Sequence, residues 1–164
     1  MPQEHYFSAE PNSEATMRQI TFEVAGKSFA AQTASGTFST AGLDKGTKIL
    51  LEQFEEFPDS GDVLDLGCGW GPIAISIAAL KPNTRIWALD VNQRSLDLAT
   101  ANAKALGLSN VKPVFANQIP SDLQFGAIWS NPPIRIGKAA LHALLKTWLP
   151  RLIQGGKAMQ PGFQ

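Results

Sequence analysis

Along the chain a hairpin pattern and then a helical one give way, from residue 62, to repeated strand, turn and helix units. In "RQITFEV" Ile20, Phe22 and Val24 alternate with polar neighbours, "AG" can turn, and "KSFAAQ" can return, which predicts a β-hairpin. The segment before it, "MPQEHYFSAEPNSEAT", has no period and is expected to be a tail. A loop, "SGTFSTAGLDKG", leads into "TKILLEQFEEF", where Ile49, Leu50, Phe54 and Phe57 recur at helical spacing until "PDSG" breaks the pattern. From Asp62 onward, short apolar runs alternate with amphipathic stretches. Strands are predicted at "DVLDL", "RIWALD", "VKPVFAN", "FGAIWS" and "GGKAM". Helices are predicted at "IAISIAAL" after Pro72, at "NQRSLDLATANAKAL" with Gly107 as its stop, and at "KAALHALLKTWL". Residues 1–57 (tail, hairpin and first helix) and residues 58–164 (the strand–helix units) are expected to pack as one compact unit.

Strands that alternate with helices predict an α/β fold with a doubly wound, mainly parallel sheet. Proline cannot donate to a strand ladder, so Pro113 places the third strand of this series at an edge, as the order 3-2-1-4-5 requires. In that order the ligand crevice opens at the carboxyl ends of strands one and four. The chain's two unusual motifs, "GCGWG" and "NPPIRIGK", lie there.

Composition narrows the class without choosing a function. The 164 residues are 44% hydrophobic and 17% charged, which suits a globular domain with a real core. The single cysteine, Cys68, cannot form an internal disulfide, and no apolar run suggests secretion or a membrane span, so a cytoplasmic location is expected. The formal net charge is zero but unevenly distributed: residues 1–62 carry ten acids against four Lys/Arg, whereas after Asp122 there are only bases, Arg135, Lys138, Lys146, Arg151 and Lys157. This is weak support for a polyanionic partner.

The "DLGCGWG" turn puts Asp65 at a strand end and Gly67, Gly69 and Gly71 where missing side chains let a ligand approach the backbone. Asp90 ends the next strand about twenty residues on, where an acid can accept from both ribose hydroxyls. A nucleoside cofactor is the expectation. The dinucleotide pattern needs a third glycine where this chain has Pro72, which disfavours NAD. The spacing Asp-x-Gly-x-Gly-x-Gly resembles class I methyltransferases, Rossmann-like enzymes that use S-adenosyl-L-methionine. That resemblance implies cofactor contacts from Asp65, Gly67, Gly69, Gly71, Asp90 and, after the third strand, Asn117, and makes residues 58–164 the cofactor-binding domain.

Asn131, Pro132 and Pro133 resemble the catalytic motif of methyltransferases that act on an exocyclic amine or amide nitrogen. Such a nitrogen is a poor nucleophile because its lone pair is delocalised. The Asn131 side-chain oxygen and the Pro132 carbonyl can each accept one of its N–H groups and leave the lone pair aimed at the methyl group. Pro133 restricts the residue before it and so holds that carbonyl. "SGTFSTAGLDKGTKILLE" and "NPPIRIGKAALH" further resemble the small-subunit ribosomal RNA guanine-N2 methyltransferases, over about His5 to Lys157. This implies that the loop with Phe38, Asp44, Gly46 and Thr47 borders the crevice. It also implies that Phe38 and Ile134 sandwich a flipped base and that Arg135 and Lys138 meet RNA phosphates. No metal site is expected.

Two departures bear on these expectations. Other amine methyltransferases carry an aromatic residue where this chain has Ile134, which disfavours DNA adenine as the target. The family fold also continues past the fifth strand, so its last strands are expected to be missing, leaving a sheet edge that invites self-association. Protein-glutamine N5 methylation, and a non-catalytic module that binds S-adenosyl-L-methionine or serves assembly, stand as alternatives.

Overall fold

The computed structural model describes residues 16–34, 42–132 and 137–161. The expectations for the tail and for Phe38, Pro133, Ile134 and Arg135 lie outside the described residues. The elements in order are β1 (Met17–Val24), β2 (Lys27–Ala34), α1 (Lys45–Leu51), β3 (Ser60–Leu66), α2 (Pro72–Leu80), β4 (Asn83–Leu89), α3 (Gln93–Ala105), β5 (Val111–Val114), β6 (Phe125–Ser130), α4 (Gly137–Trp148) and β7 (Leu152–Met159).

β1 and β2 pair antiparallel across a two-residue turn, Ala25 and Gly26, both at positive φ, which matches the twist of the flanking strands. The other five strands form one parallel sheet in the order β5-β4-β3-β6-β7. This is the expected order 3-2-1-4-5, with Pro113 on the edge strand β5. Side chains alternate across the sheet, as the pleat requires. Val63, Ile86, Ala88, Ala127 and Trp129 face a core shared with α1, α2, α3 and the hairpin. Leu64, Leu66, Trp87, Leu89 and Ile128 face a second core closed by Ile119 and by Trp148 of α4. Among the described residues no helix is long and apolar enough to cross a membrane.

The helix ends follow local chemistry. Pro72 opens α2, where its missing N–H costs nothing. After α3, Gly107 at φ +70° donates to the Lys104 carbonyl and Leu108 donates to that of Ala103, the paired bonds that satisfy a helix C-terminus.

The largest differences from the sequence reading lie at three boundaries. The helix expected over 47–57 is a shorter α1 capped by Asp44, followed by a single 3-10 turn at 54–56. Leu50 and Leu51 are its buried pair, while Ile49 is 37% exposed. Phe57 leaves the helical path because its ring packs edge-on against Trp129, 5.0 Å between centroids. β5 stops at Val114, and Ala116–Gln118 form a 3-10 turn. β7 begins at Leu152, ahead of "GGKAM", and its pairing with β6 shifts register between Phe125 and Ala127. Gly156 sits at this irregularity, where an added Cβ would come within 3.0–3.1 Å of the Ile153 and Gly126 carbonyls.

A buried side chain ties the hairpin to the sheet domain. Asn102 of α3 accepts from the Gln32 N–H (2.8 Å) and donates to the Gln32 carbonyl (3.0 Å) and to the Trp70 carbonyl of the glycine turn (2.9 Å). Phe22 stacks on Phe29 and meets the edge of Trp70. The hairpin therefore buttresses the back of the turn that the sequence marks as the ligand loop.

Candidate active site

At the carboxyl end of the sheet, Leu66 of β3 is paired with Ser130 of β6, and the Ser130 hydroxyl donates to the Leu66 carbonyl (3.1 Å). The residues that follow, Gly67 and Asn131, therefore leave adjacent strands side by side. Thr47, Gly67, Gly69, Trp70, Ile73 and Asn131 line one crevice. The topology thus joins the two motifs that stand 64 residues apart in sequence.

The glycine turn is built against the end of β4. Gly67 and Cys68 both donate to the Leu89 carbonyl, and the Gly69 N–H donates to Asp90 Oδ2 (2.9 Å). Gly71 adopts φ +98°, and a Cβ there would lie 3.3 Å from Ala99 Cβ, so glycine is what lets α2 and α3 approach. Cys68 is buried in the turn, and burial pushes its thiol well above the usual range, so it stays a neutral packing residue.

The two acids differ in their surroundings. Asp65 is 1% exposed; its Oδ2 accepts from the Ala74 N–H (3.1 Å), and its Oδ1, among the described residues, has no partner. Burial pushes its carboxyl up to about 8, the Ala74 N–H works against the shift, and the nearby Asp90 charge adds to it. Asp90 is only partly covered, and its two oxygens accept from Gly69 and from Asn92 (3.0 Å). Burial raises its pKa, and the N–H groups of Asn92, Gly69 and Val91 oppose that rise. A carboxylate offers about four lone-pair sites, so Asp90 retains capacity for further donors. Next to it in sequence Val91 is 63% exposed, a large apolar residue that the sequence reading passed over.

Asn131 is half-buried, and its amide nitrogen donates to Asp44 Oδ1 (2.9 Å), Asp44 Oδ2 (3.1 Å) and Thr47 Oγ1 (2.8 Å). Pro132 is buried beside it. The start of α1 comes so close that a Cβ on Gly46 would fall 2.5 Å from Asn131 Oδ1.

Other expected site residues are less concentrated. Asn117 is exposed on the turn after β5, outside the residues that line the crevice, and Lys138 is exposed in the first turn of α4. The basic C-terminal segment is partly consumed by the fold. Arg151 donates to the carbonyls of Pro120 and Leu123 and lies over the Phe125 and Trp148 rings, while Lys157 pairs with Glu56 at 2.6 Å.

The chain is similar to several known proteins. The sequence model of the methyltransferase small domain family matches residues 28–159. The chain is 36% identical over 158 residues to the uncharacterized protein YbxB of Bacillus subtilis, covering 94% of this chain and 78% of that one. It is 35% identical over 132 residues to the ribosomal RNA small subunit methyltransferase C of Klebsiella pneumoniae, covering 77% of this chain and 38% of that protein. In fold it is similar to the Thermus thermophilus 16S rRNA N2 G1207 methyltransferase RsmC, solved with AdoMet and guanosine. The TM-score is 0.75 at 22% identity, over 89% of this chain and 42% of that one. The chain thus spans less than half the length of these ribosomal RNA methyltransferases. The match over most of the chain, the parallel sheet order and the glycine turn at its switch point lead to one conclusion: this chain belongs to the methyltransferase small domain family.

Proposed function

We propose that this chain is an S-adenosyl-L-methionine-dependent N-methyltransferase whose acceptor is the exocyclic N2 amine of guanine in ribosomal RNA. The observation that carries the reading is the pairing of Leu66 with Ser130, which sets the glycine turn and Asn131 in one crevice. The relatives named as ribosomal RNA small subunit methyltransferases give the substrate class its support.

The residues present fit this cofactor. Asp65 Oδ1 is a buried acceptor lacking a partner among the described residues, suited to a cationic donor such as the ammonium of the methionine part. Backbone of Gly67 and Gly69 would face the methionine portion. Asp90 would accept from the ribose hydroxyls, and exposed Val91 would cover an apolar face of the base beside it. Asn117 would reach the adenine edge from the turn after β5.

When bound, S-adenosyl-L-methionine supplies an electrophilic sulfonium methyl, its sulfur keeping the bonding pair while the acceptor nitrogen forms the new N–C bond and loses a proton to water. The chain's own work is orientation. Asn131 Oδ1 and the Pro132 carbonyl would each accept one N–H of the guanine amine, turning its lone pair out of the ring plane; Pro133 would hold that carbonyl. Phe38 and Ile134 would flank the base, and Arg135 and Lys138 would meet phosphates. The test is incubation with methyl-labelled cofactor and ribosomal RNA, naked or in small-subunit particles, followed by nucleoside mass spectrometry. Labelled N2-methylguanosine is expected. Label in protein glutamine, or cofactor binding with no transfer to either RNA form, would overturn the reading.

A further inference from the structure

The amide of Asn131 has two ends, and the proposed chemistry uses only the oxygen. A carboxylate can accept but not donate, so the contacts of 2.9 and 3.1 Å to Asp44 assign the nitrogen, not the oxygen, to the side facing the Asp44 carboxylate. The Thr47 hydroxyl at 2.8 Å takes the same nitrogen. Asp44 is itself fixed, because its Oδ1 also accepts from the Thr47 N–H (2.8 Å) as the cap of α1. The close approach is built in on both sides: α1 carries glycine at 46, where any Cβ would collide with the Asn131 amide.

We propose that Asp44 is a positioning residue that sets the rotamer of the Asn131 amide, so that Oδ1 and not Nδ2 is presented to the acceptor amine. The proposal rests on the methyltransferase reading and adds to it a residue 87 positions upstream of the motif it controls. An inverted amide would offer a donor to a donor, repelling the amine it should hold.

The decisive variant is Asp44→Asn. Its side-chain oxygen can still cap Thr47, so α1 persists, but an N–H2 replaces Oδ2, the second acceptor at 3.1 Å, and sets a donor against Asn131 Nδ2, which loosens the hold on that amide. Asp44→Asn is expected to lower kcat for RNA methylation about a hundredfold with cofactor affinity and thermal stability near wild type. Asn131→Asp alone sets two carboxylates against each other and is expected to be equally impaired. The double variant Asp44→Asn, Asn131→Asp again pairs an N–H donor with a carboxylate across this contact and should recover at least tenfold over either single variant, a rescue that a purely capping Asp44 would not give. Full turnover in Asp44→Asn, or no recovery in the double variant, overturns the proposal.

Side-chain amide NMR of the whole chain provides a readout that is independent of turnover. The Asn131 NH2 protons should exchange slowly in the wild type and faster in Asp44→Asn. If the wild type methylates no substrate, the methyltransferase reading fails on its own. In that event unchanged Asn131 amide signals in Asp44→Asn overturn the positioning role, and altered signals uphold it.

Discussion

Asp65→Asn separates what the buried acid costs from what it does. In the folded chain the Asp65 carboxyl titrates near 8, whereas an unfolded aspartate loses its proton near 3.8. Between those values the folded state binds the extra proton, so stability falls as pH rises, by at most about 1.4 kcal/mol per pH unit, and levels off above the folded value. From pH 5 to pH 8 the upper bound is therefore about 4 kcal/mol, and relaxation around the buried group will reduce it. Asparagine mimics the protonated acid: its oxygen can keep the Ala74 N–H, and its N–H2 occupies the place of the orphaned oxygen. Denaturant unfolding across this range should give a wild type that loses stability with rising pH, and an Asp65→Asn variant that loses less and is at least as stable at pH 8. Calorimetry with S-adenosylhomocysteine, which carries the same ammonium, should show the reverse preference. Wild-type affinity should rise toward pH 8 with proton release to buffer, while the variant should bind weakly at every pH. Parallel stability profiles, or equal affinity in both proteins, would refute the idea that this carboxylate is retained for a cationic ligand. The surface pair Lys81–Asp59 titrates in a different window, because Lys81 holds Asp59 below its usual value; its contribution is lost only on acidification below about 4 and does not confuse the measurement.

Gly46→Ala should lower methyl transfer about a hundredfold in a steady-state assay while leaving the melting temperature close to wild type. Its Cβ would sit 2.5 Å from Asn131 Oδ1, and roughly ångström misplacement of a reacting contact has that effect. Asp90→Ala should weaken binding of S-adenosylhomocysteine by about 1.5–3 kcal/mol through lost bonds to a charged acceptor, read by calorimetry. Asn102→Ala should cost about 2–3 kcal/mol in denaturant unfolding, since it strands the Gln32 backbone and the Trp70 carbonyl, and should loosen the hairpin in hydrogen exchange before the sheet.

The sheet was legible because its evidence is local or topological. Strand-length apolar runs, Pro72, Gly107 and Pro113 each have one physical use, and together they fix an order whose switch point lies at the two motifs. Asp65, Asp90 and Asn131 could be placed at strand ends for the same reason. What the sequence could not disclose were contacts made by distant residues with ordinary local roles. Asp44 was expected only to border the crevice; it also caps α1, and the same oxygen receives Asn131. Asn102 looks like a polar position on a helix and is 3% exposed, joining hairpin to glycine turn. Helical period also misassigned Ile49, because the burial of Leu51 and the ring contact between Phe57 and Trp129 decide how far α1 runs. The basic segment read as one feature proved to be several, with Arg151 and Lys157 engaged by the fold.

Single-turnover methyl transfer by wild type and Asn131→Ala, at saturating S-adenosyl-L-methionine and with ribosomal RNA as acceptor, tests the central claim most directly. The account predicts N2-methylguanosine from the wild type, a rate about 10²–10³ lower in the variant, and the same cofactor affinity in both. An Asn131→Ala variant that transfers methyl groups at the wild-type rate would contradict it.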